Sequence, residues 1–238
     1  MKDSSVISAF VLGLCLLLGL SFVGYFLGTS LIQFKQLERS VTVKGLSERE
    51  FPADTAIWPI HFSAAGNDLP KLYEDLESDS KVILDFLLEN GFVPSECTLS
   101  APVITDKLAQ GYEKSRIEFR YSASQTITVY SEKISQVRST MNSLGEIGKK
   151  GVAFTGGGYQ GGTEYLFTRL NEVKPSMVEE ATNKAREVAQ KFAQDSDSSL
   201  GKIKRARQGQ FSIQNRDTNT PHIKKVRVVS TVEYYLSD

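Results

Sequence analysis

The sequence predicts an α+β protein in which largely antiparallel sheets pack with about three amphipathic helices, all preceded by one transmembrane helix. Three observations predict it. The N-terminal run Ser4 to Phe34 has no charged residue. Stretches with a two-residue apolar period are interspersed with stretches of helical period, without the strict alternation of a doubly wound fold. Neighbouring strand-like stretches are joined by short turns, which favours antiparallel pairing. The expected organisation is a short tail and anchor over residues 1–39, followed by one domain over residues 40–238.

The anchor rests on length. A helix of about 20 apolar residues crosses the hydrocarbon core of a bilayer, and Val6 to Phe34 is long enough to span with tilt. A cleaved signal peptide is the rival reading. Its apolar region is about 7–15 residues, roughly half the length seen here, and Gly28-Thr29-Ser30 is a weak cleavage site. A lipoprotein is disfavoured because Leu14 precedes Cys15, where acylation wants a small residue. Lys2 on one flank and Lys35 and Arg39 on the other leave the flanking charges nearly neutral on orientation. The short N-terminal tail suits a signal-anchor with the domain translocated. Gly24 and Gly28 form a G-x-x-x-G pair, a candidate for helix association.

Beyond the anchor, Ser40 to Phe51 reads as a strand, punctuated by Pro52-Ala53-Asp54. Thr55 to Ala64 reads as a second strand with Ala56, Trp58, Ile60 and Phe62 on one face, and Pro59 within it favours an edge or a bulge. Asn67 or Asp68 caps a helix with Pro70 in its first turn and Gly91 at its end. Its stripe is Leu69, Leu72, Tyr73, Leu76, Ile83, Phe86 and Leu87. Thr98 to Lys107 and Arg116 to Ser131 are strands around a Gln110-Gly111 turn. Glu132 to Ile147 is a second amphipathic helix, and Val152 to Thr155 and Tyr165 to Leu170 are strand-like around a glycine-rich loop. Pro175 opens a third helix with Met177, Val178, Ala181, Ala185, Val188, Ala189 and Phe192 on one face. Ile203 to Gln214 and Lys224 to Leu236 complete the chain as two strands.

With 28 basic and 28 acidic side chains the net charge is zero, which argues against a nucleic-acid partner. The two cysteines, Cys15 in the apolar run and Cys97 in the domain, are placed to stay unpaired. Cys97 has no adjacent cation and reads as a buried inert thiol.

The stretch from Val41 to Phe62, VTVKGLSEREFPADTAIWPIHF, resembles the opening of the SIMPL-domain family: a strand ending in Gly, a Pro-Asp-like turn, and a strand beginning with Ala. Ala181 to Ala193, followed by Leu200 to Ile203, resembles that family's alanine-spaced helix and Leu-Gly entry into the last hairpin. Lys224 to Leu236 resembles its final strand. One departure is Ala53, where many relatives have Pro-Asp directly. The resemblance implies an α+β fold, an envelope or periplasmic setting, self-association and a link to stress defence. It carries no catalytic residues.

The residues hold several candidate sites. Gly156-Gly157-Gly158-Tyr159-Gln160-Gly161 fits the dinucleotide pattern G-x-G-x-x-G on paper, but the strand-like Thr163 to Phe167 stands where a helix should open. Gly156, Gly157, Gly158, Tyr159, Gly161 and Gly162 are therefore a candidate interaction loop. Asp195 to Ser199 starts like a calcium loop, but Leu200 takes the position of the required glycine, so a helix-to-strand connection is expected. Lys202, Lys204, Arg205 and Arg207 form one basic cluster and Lys224, Lys225 and Arg227 another. If their strands pair, they are a candidate surface for anionic headgroups, an acidic partner or a second subunit, against the plain reading of outward strand faces. His61 and His222 are the only histidines, with no nucleophile elbow and no metal spacing. No catalytic residue, cofactor or metal ligand is expected.

The expected protein is thus a non-enzymatic, single-pass inner-membrane protein with a periplasmic or extracytoplasmic domain. Its expected partners are the membrane, copies of itself and an envelope protein. The alternative is a small-ligand-binding envelope domain.

Overall fold

The computed structural model describes residues 3–37, 39–111, 118–155 and 162–237. In chain order its elements are α1 (Asp3–Leu37), β1 (Ser40–Pro52), β2 (Thr55–Gly66), α2 (Leu69–Glu89), β3 (Cys97–Leu99), β4 (Val103–Asp106) and β5 (Tyr121–Ser131). Next come α3 (Ile134–Ser143), α4 (Gly145–Lys149), β6 (Ala153–Phe154), β7 (Glu164–Leu166), α5 (Leu170–Asp195), β8 (Ser199–Gln208), β9 (Ser212–Asn215) and β10 (Ile223–Ser237). The mixture of helices and antiparallel strand pairs is the α+β class that the alternating periods predict. The chain forms two compact units. One comprises Met1–Glu48, Lys174–Phe211 and Arg227–Asp238, the other Arg49–Val173 and Ser212–Val226.

In the first unit β10 is central, between β1 and β8, and pairs antiparallel with β8. Alternation along β1 points Val43, Gly45 and Ser47 inward. They meet α5, whose buried stripe is Met177, Ala181, Ala185, Ala189 and Ala193, one small residue per turn after Met177. The contact at Gly45 is backbone on backbone. A Cβ placed there would overlap the carbonyl oxygen of Ala181 and come within 2.5 Å of the Ala185 nitrogen. Beside it the buried Ser47 hydroxyl donates to Glu180 at 2.9 Å. Val43, Ala185, Ala189, Val232 and Tyr234 form the apolar centre of this unit. Val188 and Phe192, expected on the packed face, are 39% and 54% exposed. The real stripe has a strict four-residue spacing because only alanine fits so close an approach.

The helix α5 also begins earlier than Pro175, which lies inside it. The missed signal is remote. Asp54, more than a hundred residues upstream, accepts hydrogen bonds from the main chain at the helix entry. Similarly, the expected last strand but one is two strands, β8 and β9. Gly209 interrupts them, and a Cβ there would lie 2.5 Å from the Val229 carbonyl oxygen.

In the second unit β2 and β5 pair along their length, from Ala56 opposite Ser131 to Gly66 opposite Tyr121. Ala56, Trp58, Ile60 and Phe62 are buried on one face, as their alternation predicts. On its other edge β2 pairs with β7 over Thr55–Ile57 and with β6 over Phe62 and Ser63. Pro59 falls between those two short partners, where its missing N–H leaves no ladder bond unmade. The helix α2 packs Leu72, Leu76, Ile83, Phe86 and Leu87 into this core. Of the two candidate caps, Asp68 accepts from the Lys71 N–H at 3.2 Å. Gly91 takes φ +83°, the left-handed turn expected of a helix stop. Tyr73, assigned to the stripe, is 48% exposed.

Two elements expected to be continuous are divided. Thr98 to Lys107 becomes β3 and β4, because the chain bulges at Ser100–Pro102. There the Ser100 hydroxyl accepts from the Thr126 N–H and its carbonyl from the Gln125 amide. The helix over Glu132 to Ile147 becomes α3 and α4, interrupted at Leu144, next to the weak helix formers Asn142, Ser143 and Gly145. Of the strand expected over Arg116 to Ser131, Arg116 and Ile117 lie outside the described residues, and β5 starts at Tyr121.

The Gly45 contact has a measurable consequence. Gly45→Ala should destabilise the protein by roughly 1–3 kcal/mol, because backbone must move to admit the methyl group. At Gly66 an added Cβ would meet only ordinary contacts at 4.0 Å. Gly66→Ala should change stability by less than about 1 kcal/mol. Thermal unfolding of the full chain in detergent, followed by circular dichroism, separates the two.

Candidate functional site

The turn that joins β1 to β2 helps to organise a concave feature of the second unit. Pro52 ends β1, and the buried Ala53 donates its N–H to the His222 carbonyl at 2.8 Å. A proline at 53 has no N–H for this bond, so the departure from the Pro-Asp pattern has a role here. Asp54 donates its own N–H to the Leu166 carbonyl at 2.8 Å. Its carboxylate accepts from the Thr168 N–H (2.8 Å), the Thr168 hydroxyl (3.0 Å) and the Arg169 N–H (3.4 Å). Burial works to raise the Asp54 pKa, but the bonds from Thr168, Thr55 and Arg169 outweigh it and hold the carboxyl below its ordinary value.

His222 so placed forms part of a polar pocket of about 190 Å³. The helix α3 contributes Arg138, Met141 and Asn142 to one wall, and Thr163 and Tyr165 from the β7 segment form another. The third wall is the turn before β10, with Thr218, Asn219 and Pro221 beside His222. Asp217 builds that turn, accepting from the Thr220 hydroxyl and from the N–H groups of Asn219 (2.8 Å) and Thr220 (2.7 Å). With Arg216 at 3.0 Å as well, the Asp217 carboxyl is held far below its usual range. The His222 ring stacks edge-on against Tyr165 at 6.0 Å. Burial lowers the His222 pKa, with Arg138 and Arg216 adding to the effect against Asp217. Burial raises that of Tyr165. In the sequence His222 stands out only as one of two histidines, without catalytic or metal spacing. Arg138 and Asn142 carried no signal, being polar positions on an amphipathic helix.

Of the two basic clusters, the first (Lys202, Lys204, Arg205 and Arg207) lies on β8, an exposed strand at the end of its sheet path. The strands β8 and β10 do pair, with Arg207 opposite Thr231, Arg205 opposite Glu233 and Ile203 opposite Tyr234. The register therefore sets the first cluster against Thr231–Tyr234 and not against Lys224–Arg227. Lys204 pairs with Glu233 at 3.0 Å and lies 5.6 Å from the Tyr235 ring centre. Lys224 is buried, and its ammonium donates to the Asn215 side chain. Lys225 is half-buried and Arg227 exposed.

Gly156, Gly157, Gly158, Tyr159 and Gly161 lie outside the described residues, and Gly162 comes after them at φ +84°. The calcium-like stretch is a helix terminus. Asp197 takes φ 50° and the Ser198 N–H returns to the Ala193 carbonyl at 2.8 Å. Among the described residues no group of three or more His, Cys, Asp or Glu is arranged to hold a metal. His61 bonds Thr126 across the sheet at 2.8 Å. Both cysteines are free, and burial raises the Cys97 pKa, with Glu96 adding to it.

On α1, Leu12–Ser30 is long and apolar enough to cross a membrane, and none of it is buried in the protein. By itself this marks a candidate anchor or signal. A Cβ at Gly24 or Gly28 would meet nothing within 4 Å, so that face of the helix is open.

Comparison with known families gives one match. The model of the SIMPL family, described as a protein of unknown function (DUF541), matches residues 41–233. The chain belongs to the SIMPL family. No curated protein matches it. The matched span begins one residue into β1 and ends within β10, and it contains both the Gly45 contact and the Asp54 turn.

Replacing Asp54 tests how this turn is held. Asp54→Ala should cost about 1.5–3 kcal/mol, the range for hydrogen bonds to a charged group. Because the folded-state pKa is depressed, the Asp54 contribution is complete above the unfolded carboxyl value and is lost as pH falls through the folded one. The gap in melting temperature between wild type and variant should therefore narrow as the buffer is acidified.

Proposed function

We propose that this chain is a membrane-anchored, extracytoplasmic SIMPL protein that acts by association and not by catalysis. The carrying observation is the apolar span Leu12–Ser30, none of it buried in the protein, joined to the family domain by a short connection. Such a span in water is costly at about 25 cal/mol per Å² of apolar surface, and a bilayer removes that cost. A retained helix then keeps the domain within a few residues of the bilayer, on the inner membrane and facing the periplasm. The charges flanking the helix are nearly balanced, and the outward orientation is supported by the family resemblance.

Self-association is supported by three features. Gly24 and Gly28 leave one face of α1 open to close approach. Val188 and Phe192, one turn apart on α5, expose apolar surface without covering the core. The family resemblance points the same way, and it also supports a role in stress defence. The basic β8 strand is a second contact surface, toward anionic headgroups or an acidic envelope partner. No cofactor enters this reading.

Light scattering of the full chain, purified in detergent and corrected for bound detergent, tests the association. More than one copy per particle is expected. Introducing Val188→Glu and Phe192→Glu together, or Gly24→Leu with Gly28→Leu, should reduce the copy number. A wild-type chain that stays monomeric at high protein-to-detergent ratio would overturn the proposal.

A further inference from the structure

The polar pocket of the second unit has a composition that selects its ligand. Arg138 supplies a permanent positive charge and has no ion pair or hydrogen bond among the described residues. Among the described residues, no aspartate or glutamate lines the pocket. Its other polar groups are mostly able to donate: the amides of Asn142 and Asn219 and the hydroxyl of Thr218. The neighbouring Asp217 is already committed to Thr220, Asn219 and Arg216, so it does not neutralise Arg138. We propose that this pocket binds a small carboxylate, with the Arg138 guanidinium as its paired charge.

Charge and size both narrow the class. An exposed arginine on a convex surface is simply solvated; here it borders a concave wall that offers further donors to the same anion. Burial, Arg138 and Arg216 all hold His222 toward its neutral form, which leaves one uncompensated positive charge among the lining residues. A monoanionic carboxylate balances that charge, whereas a phosphate dianion leaves an excess. The planar guanidinium fork also matches a carboxylate with two parallel hydrogen bonds. At about 190 Å³ the cavity is smaller than the ~300–1,000 Å³ of pockets for drug-sized ligands. The fitting ligand is therefore a short-chain acid.

The full chain in nanodiscs, probed with propionate by saturation-transfer NMR, tests this directly, with empty nanodiscs as the blank. Propionate should receive saturation from the protein, while its neutral isostere propionamide should not. Inorganic phosphate at equal ionic strength should leave the propionate signal in place. Arg138→Gln should weaken propionate binding by roughly tenfold or more, the loss expected for a charge-assisted pair. Arg207→Gln, which removes an equal charge from β8, should bind as wild type. Asn142→Ala examines the same wall if the Arg138 variant is misfolded, and it should also weaken binding. Equal transfer to propionate and propionamide, displacement by phosphate, or unchanged binding in both pocket variants would overturn the proposal.

Discussion

The first unit depends on a single close approach, that of the β1 backbone at Gly45 to the α5 backbone at Ala181 and Ala185. At that separation neither partner has room for a larger side chain. This is why the strand carries glycine and the helix carries alanine at every turn from Ala181 to Ala193. Close backbone contact maximises dispersion over a small area, since many atoms reach their optimal separation at once. The neighbouring Ser47–Glu180 bond satisfies the one polar side chain that β1 buries there. The glycine within β1 and the alanine spacing of α5 thus have one physical cause in this chain, read from two ends of the sequence.

The second unit is held differently. Its core is built from large side chains, with Trp58, Phe62, Ile83 and Leu87 filling the space between β2 and α2. Its turns are held by carboxylates. Asp54 gathers the entry to α5, and Asp217 gathers the turn before β10. The donors that surround them hold both carboxyls below their ordinary values, so each organises its turn. Among the described residues that line the pocket, Arg138 carries the permanent charge.

Elements governed by local pattern were legible in the sequence. The alternation of Ala56, Trp58, Ile60 and Phe62, the cap at Asp68 and the stop at Gly91 are each set by residues within a few positions of one another. Features set by distant partners were hidden. The start of α5 depends on Asp54 and the break at Gly209 on the Val229 carbonyl. The basic residues were visible, but their register against β10 was not, because a strand's own sequence does not state its pairing. The pocket was the least legible feature. Its walls come from α3, β7 and a turn some eighty residues apart, and each residue is ordinary in its own segment.

The proposed function rests on the N-terminal helix, because Leu12–Ser30 is long and apolar enough to cross a membrane. The most direct measurement is N-terminal sequencing and intact mass of the protein recovered from washed membranes, joined to protease treatment of the outer face of the inner membrane. A retained anchor predicts a chain in which Leu12–Ser30 is still attached to the domain, with the domain digested only from outside. A mature chain that begins after Ser30 and washes off the membrane would contradict it, as would a domain protected on the cytoplasmic side.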